Sequence, residues 1–415
     1  LLFRRYCLYK NLYNPKIIDR YIKLIVIKYK NQHQRFHQKM RYNLLFAGPA
    51  GSGPNFLANF LAEALVKILY YVFSSRDYQS LIRGGHNFNV LTFSENPVYS
   101  NDSKIDILIC LDEESEKKHK QNLCKQGVIL KGHKENMYYA GRIFRLLGFS
   151  LKDLEIELNS IKGSNKENLE EAKLGFNDEE KKICSLKEIK KKLFFSSGSQ
   201  GISSGAIESG LNVYYAYPMT PATPVLTELA QKQAEEKFIV LELESEIAVI
   251  NAALGSAITG AKAMVGTSGG GFDLMTEAMS MAGMAEIPIV MYLSQRPGPG
   301  TGVPTYTSQG DLSMARHSGH GEFPRLVLAP GDSNECAELT SQAFYFSQKY
   351  KTPAIVISDK HLAESSYSLE KKPVITKSGK ITKLGRYNSY ERDSYGNSTD
   401  DPKIINENME KRLEK

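Results

Sequence analysis

The chain has few cysteines and no closely spaced pair of them. The five cysteines lie at positions 7, 110, 124, 184 and 336 of 415 residues. Without a Cys-x-x-Cys pair the sequence provides no disulfide framework, zinc site or iron–sulfur cluster of its own, so we expect no metal site in this chain. Scattered cysteines are typical of a reducing compartment, and we therefore predict a cytoplasmic protein.

Long apolar runs and a large excess of charge on the body of the chain are also missing. Lysine interrupts the apolar segment 21–28 well short of the about 18 residues that a membrane-spanning helix needs, so we expect no membrane association. Residues 1–39 contain ten Lys or Arg and one Asp and carry +9, which leaves −2 for residues 40–415 because the whole chain carries +7. We therefore expect no nucleic-acid partner.

The first predicted unit covers residues 40–175. Met40 precedes its first strand, so we expect the protein to begin there and residues 1–39 to be a basic leader, either disordered or not translated. The glycine loop Gly48–Gly53 follows, then a helix from about Pro54 to Tyr71 and strands at 87–94 and 105–111. This alternation predicts a parallel α/β unit, resembling a Rossmann fold.

A charged linker at 176–200 leads to the second predicted unit, at 201–368. Its strands are predicted at 212–217, 238–243, 263–267, 287–294, 325–329 and 353–358. Helices are predicted at 222–234, 246–260, 273–284 and 334–350. Strict alternation of this kind indicates a doubly wound sheet. The polar tail 369–415 is expected to open a further domain that is truncated here.

Polar and glycine-rich segments follow four strands of the second unit. In doubly wound sheets ligands bind outside the carboxyl ends of the strands, so these segments occupy a site position. Singly, each has a simpler interpretation: a rigid turn for Tyr217–Pro221, or a helix-dipole carboxylate for Glu246. The others are Thr267–Gly271, which allows close backbone approach to a flat ligand, and the loop of Arg296, a side chain suited to carboxylates. Together they favour one binding site.

These segments resemble the α subunit of 2-oxoacid:ferredoxin oxidoreductases, in the version with a γ domain fused ahead of a thiamine-diphosphate pyrimidine-binding domain. The resemblance rests on Tyr217-Pro-Met-Thr-Pro221, Glu244-Ser-Glu-Ile-Ala248, Thr267-Ser-Gly-Gly-Gly-Phe-Asp-Leu-Met275, Gln295-Arg-Pro-Gly-Pro299, Gln309-Gly-Asp-Leu312 and Gly319-His-Gly-Glu-Phe-Pro-Arg325. The last motif looks most like 2-oxoglutarate-type enzymes. The resemblance thus implies oxidative decarboxylation of a 2-oxoacid, with coenzyme A taking the acyl group and ferredoxin the electrons.

The resemblance also implies roles for individual residues. Glu246 would hydrogen-bond the thiamine pyrimidine, while Thr220 and Arg296 would hold the 2-oxoacid. The implied cofactor-binding residues are Tyr217, Pro218, Met219, Pro221, Glu246, Ser268, Gly269 and Gly270. The diphosphate and Mg²⁺ need a Gly-Asp-Gly motif that is missing here, so a β subunit is expected to hold them, together with the iron–sulfur cluster, in an αβ heterodimer.

Two alternative functions stay open at this point. One is a non-catalytic assembly subunit of the same complex, for which Glu246 would be dispensable. The other is a Rossmann-type nucleotide-binding oxidoreductase that uses the loop Gly48–Gly53. That hypothesis needs an acidic residue about 20 positions further on, at the end of the next strand. Asp77 lies near the right distance, but no clear strand is predicted before it. For the loop itself, a tight turn without ligand is the preferred interpretation.

Overall fold

A computed structural model describes residues 41–79, 85–132, 135–161, 165–184, 186, 192–379 and 388–415. The expected leader, with Met40, and part of the charged linker lie outside the described residues. Within the described ranges, no helix combines the length and the apolar composition needed to span a membrane.

The described residues of the first half form five strands and five α-helices. The strands are β1 (Arg41–Pro49), β2 (Tyr71–Tyr78), β3 (His86–Ser94), β4 (Ile105–Cys110) and β5 (Leu123–Leu130). The helices are α1 (Pro54–Lys67), α2 (Glu113–His119), α3 (Asn136–Leu147), α4 (Leu151–Ser160) and α5 (Lys166–Asp178). Helix α1 begins directly after Gly53, whose φ of 91° is a left-handed conformation that glycine adopts without steric cost.

The second half alternates strand and helix more regularly. Its strands are β6 (Phe194–Ser197), β7 (Val213–Ala216), β8 (Ile239–Glu242), β9 (Ala263–Thr267), β10 (Ile289–Gln295), β11 (Leu326–Leu328), β12 (Pro353–Asp359) and β13 (Ser366–Leu369). Its helices are α6 (Gly198–Glu208), α7 (Thr223–Glu236), α8 (Glu246–Ile258), α9 (Gly269–Leu274), α10 (Thr276–Ala285), α11 (Leu312–His317), α12 (Ser333–Tyr350), α13 (Lys360–Glu364) and α14 (Pro402–Leu413).

The second sheet has the order β11-β12-β10-β9-β7-β8, and its strand pairs are parallel. Alternate residues of each strand point to opposite faces. Tyr214 therefore joins the core beneath α6, α7 and α12, while Val213 and Tyr215 join a separate core beneath α8 and α10. Cores on both faces confirm the predicted doubly wound sheet.

The first sheet has the order β5-β4-β1-β3-β2-β13-β6 and is mixed. Strand β3 is antiparallel to both β1 and β2, so the prediction of a wholly parallel first unit was wrong. The connection from Tyr78 to His86 is too short for a parallel crossover, which needs a dozen or more residues. Strand β2 was missed because α1 ends at Lys67, earlier than predicted, and the polar run at 74–77 conceals the strand.

Both halves of the chain contribute to the first sheet. Strand β13 pairs with β2, where Tyr367 lies opposite Phe73, and also with β6. Strand β6 lies within residues 176–200, which were predicted to be only a charged linker, so that prediction was wrong for residues 194–197. The last strand of the second half thus returns to the first sheet and fixes the orientation of the two halves.

The described part of the tail packs against the second half. Helix α14 begins after Asp401, whose carboxylate accepts from the backbone N–H of Lys403. The Arg412 guanidinium pairs with Glu391, and Arg392 pairs with Glu286 at the end of α10. These ion pairs hold α14 against the second half.

Helices α3 and α5 pack closely because glycines face each other's backbone. A Cβ on Gly141 would lie 1.9 Å from the carbonyl oxygen of Ala172, and one on Gly175 would lie 2.0 Å from that of Tyr138. Backbone atoms cannot rotate away as a side chain can. The two helices would therefore have to move apart to accommodate a methyl group.

Replacing Gly141 by alanine should destabilise the protein by roughly 1–3 kcal/mol, because overpacking displaces α5. The matched change Gly255→Ala, in α8, should stabilise it by roughly 0.5–1 kcal/mol, since no atom lies within 4 Å of the new Cβ. Urea denaturation of both variants measures the difference. Equal changes in the free energy of unfolding in the two variants would show that α3 and α5 do not pack this closely.

Candidate active site

Strands β7, β9 and β10 end side by side at one edge of the second sheet. Ala216 pairs with Gly266, and Leu293 pairs with Thr267, so the loops after these strands begin next to one another. Because the strands are parallel, this edge is the one where ligands bind in doubly wound folds. The predicted site residues lie in these loops and at the start of α8.

The Glu246 carboxylate is buried at the first position of α8. Ser245 precedes it and caps the helix by accepting a hydrogen bond from the N–H of Ala248. Glu246 is only 4% exposed, and its Oε1 has no hydrogen-bond partner among the described residues. A carboxylate that serves only the helix dipole can stay in water, whereas a buried oxygen without a donor costs free energy. The burial therefore indicates that a ligand supplies the donor.

Gly271 keeps open the space that this carboxylate faces. A Cβ at this position would lie 2.1 Å from Thr267 Oγ1 and 2.5 Å from Glu246 Oε1. The nearby Ser268 hydroxyl is fully buried and, within the described part of the chain, has no hydrogen-bond partner. Two buried polar oxygens therefore lie beside the glycine turn without protein partners, which fits a polar ligand bound there.

Arg296 follows β10 directly and is 9% exposed. Its Nη1 donates to the carbonyl oxygen of Thr220 over 2.6 Å, while its Nε finds no acceptor in the ranges that the structure describes. Burial lowers the pKa of the Arg296 guanidinium, and the negative charge of Glu246 partly offsets this effect. The structure thus brings Arg296, Thr220 and Glu246 together.

The other predicted residues lie around this centre. Met219 is half-buried, with its sulfur 3.9 Å from Thr267 Oγ1, and Pro221 is buried at the start of the turn into α7. Gly269 and Gly270 form the first turn of α9. Tyr217 and Pro218 are exposed at the surface.

Asp311 is a site residue that the sequence analysis missed. A Cβ on Gly269 would lie 2.7 Å from Asp311 Oδ2, a buried oxygen for which the described residues provide no donor. Burial raises the pKa of the Asp311 carboxyl, and the nearby charge of Asp273 adds to the rise. The motif Gln309–Leu312 was noticed, but its distance from the glycine turn along the chain gave no indication of contact.

Large apolar side chains surround the site at the surface, a composition typical of a protein interface. Between 41% and 53% of each remains exposed in Tyr217, Leu241, Ile247, Leu274, Val303, Tyr306 and Leu312. No group of three or more His, Cys, Asp or Glu among the described residues could hold a metal ion.

Comparison with known proteins agrees with this geometry. Residues 204–412 match the family model described as pyruvate flavodoxin/ferredoxin oxidoreductase, thiamine diphosphate-binding, and residues 43–167 match that of pyruvate ferredoxin/flavodoxin oxidoreductase. The α subunit of a 2-oxoacid:ferredoxin oxidoreductase from Sulfolobus sp is 30% identical in an alignment that covers 85% of this chain and 70% of the relative. The chain belongs to the 2-oxoacid:ferredoxin oxidoreductase α-subunit family. The resemblance drawn from its motifs is confirmed.

Two further comparisons give a partial relative and a solved structure of similar fold. The 2-oxoglutarate synthase subunit KorA of Archaeoglobus fulgidus is 37% identical over 195 residues, 47% of this chain and 54% of the relative. The solved structure of 2-oxoglutarate:ferredoxin oxidoreductase from Magnetococcus marinus superposes with a TM-score of 0.78 at 24% identity, covering 90% of this chain and 78% of that one. That likeness confirms the fold of both halves together.

Replacing Gly271 by alanine should weaken thiamine diphosphate binding at least about tenfold, because the methyl group would displace the Glu246 carboxylate. Isothermal titration of the complex with the partner subunit measures the affinity. Gly379→Ala is the control, since no atom lies within 4 Å of its added Cβ. Unchanged affinity in the Gly271 variant would place the cofactor elsewhere.

Proposed function

We propose that this α subunit supplies Glu246, Thr220 and Arg296 to a thiamine site that it shares with a β subunit, for oxidative decarboxylation of 2-oxoglutarate. The observation that carries the proposal is the buried Glu246 oxygen without a donor among the described residues, facing the space that Gly271 keeps open. Thiamine diphosphate supplies a nucleophilic thiazolium carbon and an electron sink for the loss of CO₂ from a 2-oxoacid.

Glu246 would accept a hydrogen bond from the pyrimidine ring of the cofactor. A hydrogen bond between a carboxylate and a ring nitrogen is stronger in a buried site than in water, because the local dielectric is low. Ser268 and the glycines beside it would lie against the flat ring, where an added side chain would obstruct the approach. These residues therefore fit the pyrimidine end of thiamine diphosphate.

Arg296 would bind the 2-oxoacid. One nitrogen of its guanidinium is already fixed by the Thr220 carbonyl, and its free Nε–H can pair with a substrate carboxylate. Fixing the carboxylate orients the adjacent carbonyl carbon for attack. The choice of 2-oxoglutarate is supported by the KorA relative and by the Magnetococcus marinus structure, which contains 2-oxoglutarate, coenzyme A and succinyl-CoA.

A β subunit would complete the site. The exposed apolar side chains around the site, from Tyr217 to Leu312, fit a surface that a partner covers. This chain lacks the Gly-Asp-Gly motif for the diphosphate and Mg²⁺, so these groups and the iron–sulfur cluster belong on the partner. The proposed domain boundaries follow the same division, with the γ-type unit at 40–175 and the pyrimidine unit at 201–368.

The alternative of a non-catalytic assembly subunit requires Glu246 to be dispensable. In a complex co-expressed with the β subunit, Glu246→Gln should lower the rate of 2-oxoglutarate- and coenzyme-A-dependent viologen reduction by roughly 10²–10⁴-fold, because the amide cannot hold the proton. Glu244→Gln, at an exposed carboxylate two residues earlier, should leave the rate unchanged. A stable complex in which Glu246→Gln has wild-type activity would leave this chain a scaffold.

The first half would bind coenzyme A. A cavity of about 330 Å³ lies between the glycine loop and β2, lined in part by Gly51, Gly53, Arg76 and Asn87. The loop opens α1 without a side-chain cap, so N–H groups of its first turn are available to a phosphate.

Asn55 and Arg76 also line a second cavity, of about 220 Å³, which extends to Pro224 in the first turn of α7. The two cavities together reach from the glycine loop toward the thiamine site.

A dinucleotide site is less well supported there. Asp77 does lie on a strand, β2, and lines the cavity of the glycine loop, so the strand that this hypothesis needed exists. However, β3 separates β2 from β1, whereas dinucleotide-binding domains place the two strands next to each other.

Replacing Asn55 by tryptophan should raise the KM for coenzyme A roughly tenfold or more, because the exposed side chain at this position borders both cavities. Decarboxylation of 2-oxoglutarate measured without coenzyme A should not change. Asn406→Trp, on the exposed side of α14, controls for the bulky substitution. An unchanged KM would remove coenzyme A from this cavity.

A further inference from the structure

The loop 296–311, between β10 and α11, carries Arg296 at its first position and contains three prolines and four glycines. Within the described residues, its own backbone hydrogen bonds run from Val303 N to the Pro297 oxygen and from Tyr306 N to the Val303 oxygen. These bonds form local turns and do not attach the loop to the sheet. The loop starts from the paired residue Gln295, and beyond that point it is attached through side chains.

Gln295, the last residue of β10, fastens both ends of this loop. It is 5% exposed, and its Nε2 donates to the carbonyl oxygen of Ser358 on β12 over 3.0 Å. Its Oε1 accepts the backbone N–H of Asp311, at the far end of the loop, over 2.9 Å. The side-chain amide of Gln295 thus links the far end of the loop, at Asp311, to the neighbouring strand β12, at Ser358.

A second glutamine holds the returning part of the loop. Gln309 Nε2 donates to Asp359 Oδ2 over 2.6 Å, and the other carboxylate oxygen of Asp359 caps α13 by accepting from Leu362 N. Thr307 Oγ1 accepts the backbone N–H of His361 over 3.3 Å. The loop is therefore attached to the end of β12 at Ser358, Asp359 and His361.

We propose that Gln295 is a positioning residue for the substrate: by closing the base of the loop it holds Arg296 in the place where the guanidinium meets the 2-oxoacid carboxylate. This inference rests on the proposed function, in which Arg296 binds that carboxylate. Both ends of the Gln295 side-chain amide are needed, because its Nε2 bonds to Ser358 of β12 and its Oε1 joins the two ends of the loop. A small displacement of a substrate-binding group costs affinity and rate.

In the αβ complex, Gln295→Met preserves the length of the side chain and removes both hydrogen bonds. We expect the KM for 2-oxoglutarate to rise roughly 10- to 100-fold, with a smaller change in kcat. Gln295→Glu keeps an oxygen for the N–H of Asp311 but sets a buried carboxylate oxygen against the Ser358 carbonyl, so its KM should rise at least as far as that of the Met variant. Hydrogen exchange of the amides at 298–310 should speed up in the same order.

Gln233 provides a matched control. Its Oε1 accepts from Val240 N and its Nε2 donates to the Ala230 oxygen, each over 3.2 Å, so it also joins two backbone groups, but on α7 and β8. Gln233→Met should leave the KM and the exchange of 298–310 at their wild-type values. The proposal is overturned if Gln295→Met behaves like this control.

Combining Gln295→Met with Arg296→Gln distinguishes the proposed role of Gln295 from that of Arg296. Arg296→Gln alone should raise the KM, and adding Gln295→Met should raise it little further, because both act through one guanidinium. An undiminished further rise would show that Gln295 acts independently of Arg296 and would overturn the inference alone. An unchanged KM in Arg296→Gln itself would refute the proposed role of Arg296, whatever the loop exchange shows.

Discussion

The site depends on one physical constraint: a buried carboxylate oxygen, on Glu246, needs a hydrogen-bond donor that the described residues do not provide. Leaving a buried oxygen unpaired costs on the order of 1–3 kcal/mol. The surrounding residues supply no donor to it: Gly271 has no side chain, and Arg296 directs one nitrogen to the Thr220 carbonyl. This arrangement supports the proposed site, in which a ligand supplies the donor.

A buried ion cluster connects the two halves behind this site. Glu364 accepts hydrogen bonds from Arg76 over 2.9 Å and from Tyr78 over 2.8 Å, and Lys360 donates to the Arg76 carbonyl oxygen over 2.7 Å. Burial lowers the pKa of Lys360, although the charge of Glu364 opposes that shift. Because α13 follows β12 directly, the cluster fixes β2 and its cavity relative to the carboxyl-end edge of the second sheet.

The second half was predictable because its strands are short, apolar and separated by helices of clear periodicity. The prediction failed where contacts between distant segments decide the structure. Strand β6 forms because β13 lies beside it, and β3 runs antiparallel because the preceding connection is short. Neither effect is visible in local periodicity.

The same distinction holds within the site. Arg296 directly follows the end of β10, and Glu246 begins the helix after β8. Both were predicted as site residues because ligands bind at such strand ends in parallel sheets. The positions of Asp311 beside Gly269, and of Gln295 across the base of the loop, depend on how the loop folds back. A single sequence shows which residue types are present but not how the loop after β10 folds back on itself.

The most direct test of this account is a structure of the αβ complex with thiamine diphosphate bound. We expect Glu246 Oε1 to lie within hydrogen-bond distance, about 2.6–3.2 Å, of a pyrimidine ring nitrogen, and the ring to lie against Ser268 to Gly271. This expectation would be contradicted by a cofactor that contacts only the partner subunit while Glu246 faces protein or solvent.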